Sequence, residues 1–101
     1  MKAILSATLL VAATAPALAQ DANLARNLAA NCANCHGTDG RSQGGIPSIA
    51  GLDRAYFIGQ MSAFKAGQRT GSAATIMHQI AKGYSDEQIA VMAAYFSAQR
   101  K

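Results

Sequence analysis

The sequence predicts an all-α fold of short helices joined by glycine-bearing loops. Apolar residues recur at helical spacing, at Phe57, Met61 and Phe64 and again at Ile89, Met92, Ala93 and Phe96. No segment shows the period-two alternation of a half-buried strand. A length of 101 residues allows one domain, and no internal repeat or long linker divides it.

The first residues, "MKAILSATLLVAATAPALAQ", place one positive charge at Lys2 before an apolar run, then Pro16 and the small residues Ala17 and Ala19. That pattern predicts a secretory signal peptide over 1–19, cleaved after Ala19, and a folded domain over 20–101. The apolar run falls short of the roughly 20 residues a spanning helix needs. Export with removal of the leader is therefore the expectation, with no membrane span in the mature chain and a periplasmic location.

Residues 21–31, "DANLARNLAAN", are rich in Ala and Leu, and Leu24 and Leu28 lie one turn apart. They predict a helix leading straight into the cysteines. Residues 37–52 are dense in Gly, Ser and Asp with Pro47 near the end, which predicts a loop. Asp53 is a candidate N-cap for a helix that Gly67 stops. Residues 72–83 put Ile76 and Ile80 on one helix face, with Met77 opposite in phase, and end at Gly83. Ser85 and Gln88 form a capping box for the last helix. Asp86 and Glu87 in its first turn and Arg100 and Lys101 at its far end suit the helix dipole.

The mature unit is small, and exported domains of that size need a staple. Cys32 and Cys35 are the only cysteines. A disulfide between them closes too short a loop to constrain much of the chain. The staple is better sought in something the cysteines hold. The net charge is +4, or +3 without Lys2, and the basic residues are dispersed. There is no dense basic stripe with interleaved aromatics, which argues against a nucleic-acid partner. A mildly basic, solvated surface or a weak docking face for an acidic protein fits instead.

The chemistry is concentrated in "CANCH", residues 32–36. Zinc wants four ligands, and here His36 adjoins Cys35, His78 is the only other histidine, and there is no third cysteine. A thioredoxin-like dithiol sits at a helix N-terminus after a strand, whereas these cysteines end a helix with no strand before them. C-x-x-C-H is the attachment sequence of c-type haem. Cys32 and Cys35 then form thioethers to the haem vinyl groups, and His36 supplies the proximal iron ligand. Candidates for the sixth ligand are Met61, Met77, Met92 and His78. Met61 and Met92 belong to core stripes. Met77 is chosen, with His78 the runner-up. Pro47 is either a turn proline or a rigid carrier for the carbonyl that accepts the second ring N–H of His36. Tyr84 and the basic residues are candidates for contact with haem propionates or a partner.

"CANCH", "IPSIAG", "YFIGQMSAFKAG" and "SDEQIAVMAAYF" together resemble a small class I cytochrome c across nearly the whole mature chain. The last two are similar to single domains of bacterial dihaem cytochromes c. "TIMHQIAKGYSDEQIA" resembles, more narrowly, the haem subunit of flavocytochrome c sulfide dehydrogenase. The resemblance implies four to five short helices around one covalent haem c, with the first and last helices crossed so that Ala25 and Leu28 approach Tyr95 and Phe96. It implies Cys32 and Cys35 as thioether sites, His36 and Met77 as axial ligands, and Pro47 as the carbonyl partner of His36. The implied function is electron transfer rather than catalysis, with a redox protein partner. In the narrower version that partner is a flavoprotein subunit. The alternatives are a free soluble carrier to an oxidase or dehydrogenase, and a haem sensor with a labile sixth ligand.

Overall fold

The computed structural model describes residues 22–71 and 74–101, together with Ala3, Ser6 and Thr8. The rest of the expected leader, with its cleavage site after Ala19, lies outside the described residues. Four α-helices and one 3-10 turn make up the described fold, with no strand among these residues. They are α1 (Ala22–His36), the turn Thr38–Gly40, α2 (Arg54–Lys65), α3 (Ala74–Lys82) and α4 (Asp86–Ser97). The all-α expectation holds.

Helix α1 packs on α4, α4 on α2, and α2 on α3. The core lies where they meet: Ala29 of α1, Phe57, Met61 and Phe64 of α2, Ala74 and Ala81 of α3, and Ile89, Met92, Ala93 and Phe96 of α4. Phe96 stacks on Phe57 at 5.6 Å and takes the edge of Tyr95 at 5.3 Å. Leu28, Cys32 and Tyr95 lie half-buried against the same core. The first and last helices thus pack together as the resemblance implies.

The helix boundaries follow from side-chain chemistry. The Asp53 carboxylate accepts the Tyr56 N–H at 3.0 Å and starts α2. At its other end, Gly67 has φ 69°. Its N–H bonds the Phe64 carbonyl, and the Gln68 N–H bonds that of Ala63. This is a Schellman ending, which needs the left-handed residue glycine supplies. At the start of α4, Ser85 and Gln88 each bond the other's backbone N–H, at 3.1 and 2.9 Å.

One feature departs from the sequence reading, and a second is one that the reading left open. Helix α4 ends at Ser97, so Arg100 and Lys101 lie beyond its last turn. Its final carbonyls accept the local N–H groups of Ala98 and Gln99, and each takes a second bond, Phe96 from the distant Gly51 N–H at 2.8 Å and Tyr95 from the Gln99 side-chain amide at 3.0 Å. On α3 the isoleucine face is not the core face. Ile76 is 65% exposed, while Ala74 and Ala81 are buried. The alanines are small, and small side chains let α3 lie close against α2.

Candidate functional site

The site begins in the last turns of α1. Cys32 lies half-buried against the core, Cys35 is exposed, and no disulfide joins them. His36 is the final helical residue. Gly37 then turns the chain at φ 85°, where an added Cβ would stand 2.2 Å from the Arg41 carbonyl oxygen. Only glycine permits so sharp an exit directly after a helix-ending histidine.

The loop folds back on itself. The Gly40 carbonyl accepts the N–H groups of Ile49 and Ala50 at 2.8 and 3.1 Å. Ser48 Oγ accepts the Ser42 N–H at 2.9 Å. Between these bonds, the Pro47 carbonyl is brought 2.7 Å from His36 Nδ1. A carbonyl can only accept, so Nδ1 carries the proton and donates it. Nε2 is then the lone-pair nitrogen, the form a metal-binding imidazole takes.

Burial first, and the neighbouring Cys35 second, push the Cys32 thiol above its ordinary value. A redox dithiol works the other way, using a helix N-terminus to lower the pKa. Cys32 and Cys35 instead lie in the last turns of α1, away from the helix N-terminus such a dithiol uses. Among the described residues no three His, Cys, Asp or Glu side chains are grouped to hold a metal ion.

Met77 sits on α3, half-buried against the core. His78, next along the helix, is occupied: its Nε2 donates to the Arg69 carbonyl, and its ring lies 6.1 Å from that of Phe64. Ile46, next to Pro47 in the chain, and Ile76 and Ile80, on the same helix as Met77, are exposed apolar side chains. Two thiols, a lone-pair imidazole nitrogen and a thioether are soft or borderline donors of the kind haem iron and its vinyl groups take. Exposed apolar side chains thus occur both in the loop after His36 and on the helix that carries Met77. The residues present fit a covalent haem.

Several contacts around the site escaped the sequence reading. The Tyr95 hydroxyl donates to Asp39 at 2.6 Å. Asp39 has φ 52°, the one left-handed non-glycine among the described residues. The dipeptide "DG" at 39–40 was the available signal, since Asp tolerates that conformation. The Tyr84 hydroxyl accepts from Asn31 at 3.0 Å, one residue before Cys32. Its carbonyl accepts from Lys65 at 2.8 Å. Tyr84 thereby joins the α3–α4 turn to α1 and α2.

Comparison with known proteins agrees with the geometry. The chain matches the family described as Cytochrome c over residues 22–99. It is 40% identical over 82 residues to cytochrome c-554(548) of Halomonas halodenitrificans, covering 80% of this chain and 99% of that protein. It is 46% identical over 69 residues to the cytochrome subunit of sulfide dehydrogenase of Chlorobaculum tepidum, covering 68% of this chain and 60% of that subunit. With cytochrome c4 of Azotobacter vinelandii it shares 34% identity over 89 residues, covering 81% of this chain and 42% of that protein.

Proposed function

Because this chain belongs to the cytochrome c family of covalent-haem electron carriers, we propose that it is an exported, periplasmic single-haem carrier with His/Met-ligated iron. Cys32 and Cys35 hold the haem as thioethers, His36 and Met77 are the axial ligands, and Pro47 orients His36. When bound, the haem supplies a one-electron ferric/ferrous couple.

The observation that carries this reading is the 2.7 Å hydrogen bond from His36 Nδ1 to the Pro47 carbonyl. It fixes the tautomer and the ring plane, and it makes Nε2 a stronger donor to iron. The Met77 thioether is neutral and soft, so it favours the ferrous state and raises the potential. His78 is disfavoured as the sixth ligand because its Nε2 is already committed to the Arg69 carbonyl. With both axial positions filled by the protein, no substrate needs to reach the iron.

The similarity to the sulfide dehydrogenase cytochrome subunit supports a flavoprotein partner that passes electrons from sulfide to this chain. The match to cytochrome c-554(548), which covers 99% of that protein and 80% of this chain, supports a second reading, a free soluble carrier to an oxidase or dehydrogenase. The test is the absorption spectrum of the protein gently purified from its own periplasm. Covalent haem bands are expected, and their absence refutes the assignment. Flavin absorbance that co-elutes supports the first partner, and haem alone the second. Met77→Ala is expected to abolish the far-red charge-transfer band of the ferric protein. Survival of that band removes Met77 from the iron. Rapid binding of carbon monoxide to the wild-type ferrous protein would mark a sensor instead.

A further inference from the structure

Helix α3 carries the Met77 thioether, and the side chains it buries fully are small. The buried residues of α3 are Ala74 and Ala81, whose side chains are single methyl groups. Besides these methyl groups only Met77 and His78 of α3 are even half-buried, so few side chains fix the rotation of the helix about its axis. A rotation of α3 swings every residue on it, Met77 included.

His78 supplies what the alanines do not. Its ring is tilted at 53° against the buried Phe64 of α2, 6.1 Å between centroids. Its Nε2–H donates to the backbone carbonyl of Arg69, beyond the end of α2. The same Arg69 places its guanidinium 4.6 Å from the Phe64 ring centroid and donates to Gln60 Oε1 on α2 at 2.9 Å. One histidine on α3 is thus held by α2 through a ring contact and by the following connection through a hydrogen bond. His78 follows Met77 by one residue, about 100° around the helix.

We infer that His78 is a positioning residue. It locks the rotation of α3 about its axis and so keeps the Met77 thioether directed at the iron. The inference rests on Met77 being the sixth ligand. Without the lock, α3 turns more freely and the iron–thioether bond opens more often at unchanged overall fold.

The test uses the haem-loaded protein with His78→Phe, His78→Gln, His78→Ala and, as a reference, Met77→Ala. The Phe variant keeps a ring beside Phe64 and removes the N–H donor. The Gln variant keeps a donor for the Arg69 carbonyl. Carbon monoxide binding to the ferrous protein reads the fraction of time the thioether is off. Loss of one such hydrogen bond is expected to raise that rate about fivefold in His78→Phe and further in His78→Ala. His78→Gln is expected to restore slow binding. On heating, the far-red band of the ferric Phe and Ala variants should vanish at a lower temperature than their helical signal. If these variants bind carbon monoxide as slowly as wild type, or if band and helix melt together as in wild type, His78 is only a packing residue. If Ala fails to fold, the comparison of Phe with Gln decides alone. If Met77→Ala keeps the far-red band, the Met77 assignment itself fails. If it loses the band while the His78 variants behave as wild type, only the positioning role fails.

Discussion

Tyr95 and Asp39 show how one residue pair shapes the loop that carries the proximal side. Asp39 sits in a left-handed conformation that costs an L-residue stability, and the hydrogen bond from Tyr95 offsets that cost. This bond, with a smaller contribution from burial, holds the Tyr95 phenol above its ordinary value. The folded state therefore binds the phenolic proton more tightly than the unfolded chain does. Its contribution is full below the unfolded tyrosine value near 10 and is lost as pH rises through the higher folded value. Tyr95→Phe is expected to lower stability by about 1 kcal/mol at neutral pH and to flatten this alkaline loss. Denaturant midpoints measured from neutral to strongly alkaline pH check both. At the adjacent turn, Gly37→Ala forces a Cβ against the Arg41 carbonyl and a left-handed alanine at once. Spectra should show His36 ligation weakened even where haem is attached. The haem motif was legible because its residues are consecutive. The Tyr95–Asp39 pair was not, because the two residues are 56 apart in sequence.

At the scale of elements, starts and stops were the most readable features. Asp53, Gly67 and the Ser85–Gln88 box act within one turn of themselves, so local sequence contains their whole mechanism. Ser85→Ala is expected to cost about 1 kcal/mol, measured by urea unfolding of the haem-loaded protein, because it leaves the Gln88 N–H uncapped. Helix α3 was harder to read. Its apolar period correctly marks a helix, but the period cannot say which side meets the neighbour. Alanines at 74 and 81 took that side, and Ile76 was left outward. The end of α4 also has one partner from afar, since the Gly51 N–H adds a bond to the Phe96 carbonyl that local sequence does not foretell.

At the scale of the molecule, the core is thin. Four of its ten residues are alanines, and its larger members centre on Phe96, which touches Phe57 and Tyr95. Phe96→Ala is expected to cost about 3–5 kcal/mol, a large part of the stability of so small a domain, read as a lowered thermal midpoint. Meanwhile Ile46, Ile76 and Ile80 keep apolar surface in contact with water. A covalent haem adds the apolar area that the side chains lack. The double variant Cys32→Ser/Cys35→Ser, without attached haem, is expected to lose most of its helical signal in circular dichroism. Full helicity in that variant would show the side-chain core to be sufficient.

Sequence alone determined the helices, their caps and the chemistry of the attachment motif, because each depends on residues within a turn or two of one another. It also singled out Met77 and Pro47 as candidates, without saying where their atoms lie. Tertiary structure decided that the Pro47 carbonyl meets His36 Nδ1, that His78 is spent on Arg69 and Phe64, and that Tyr84 ties the α3–α4 turn to α1 and α2. Those contacts join residues from separate elements. They depend on how the loop closes and how α3 rotates on α2, which are balances of packing over the whole chain that no short stretch of sequence contains.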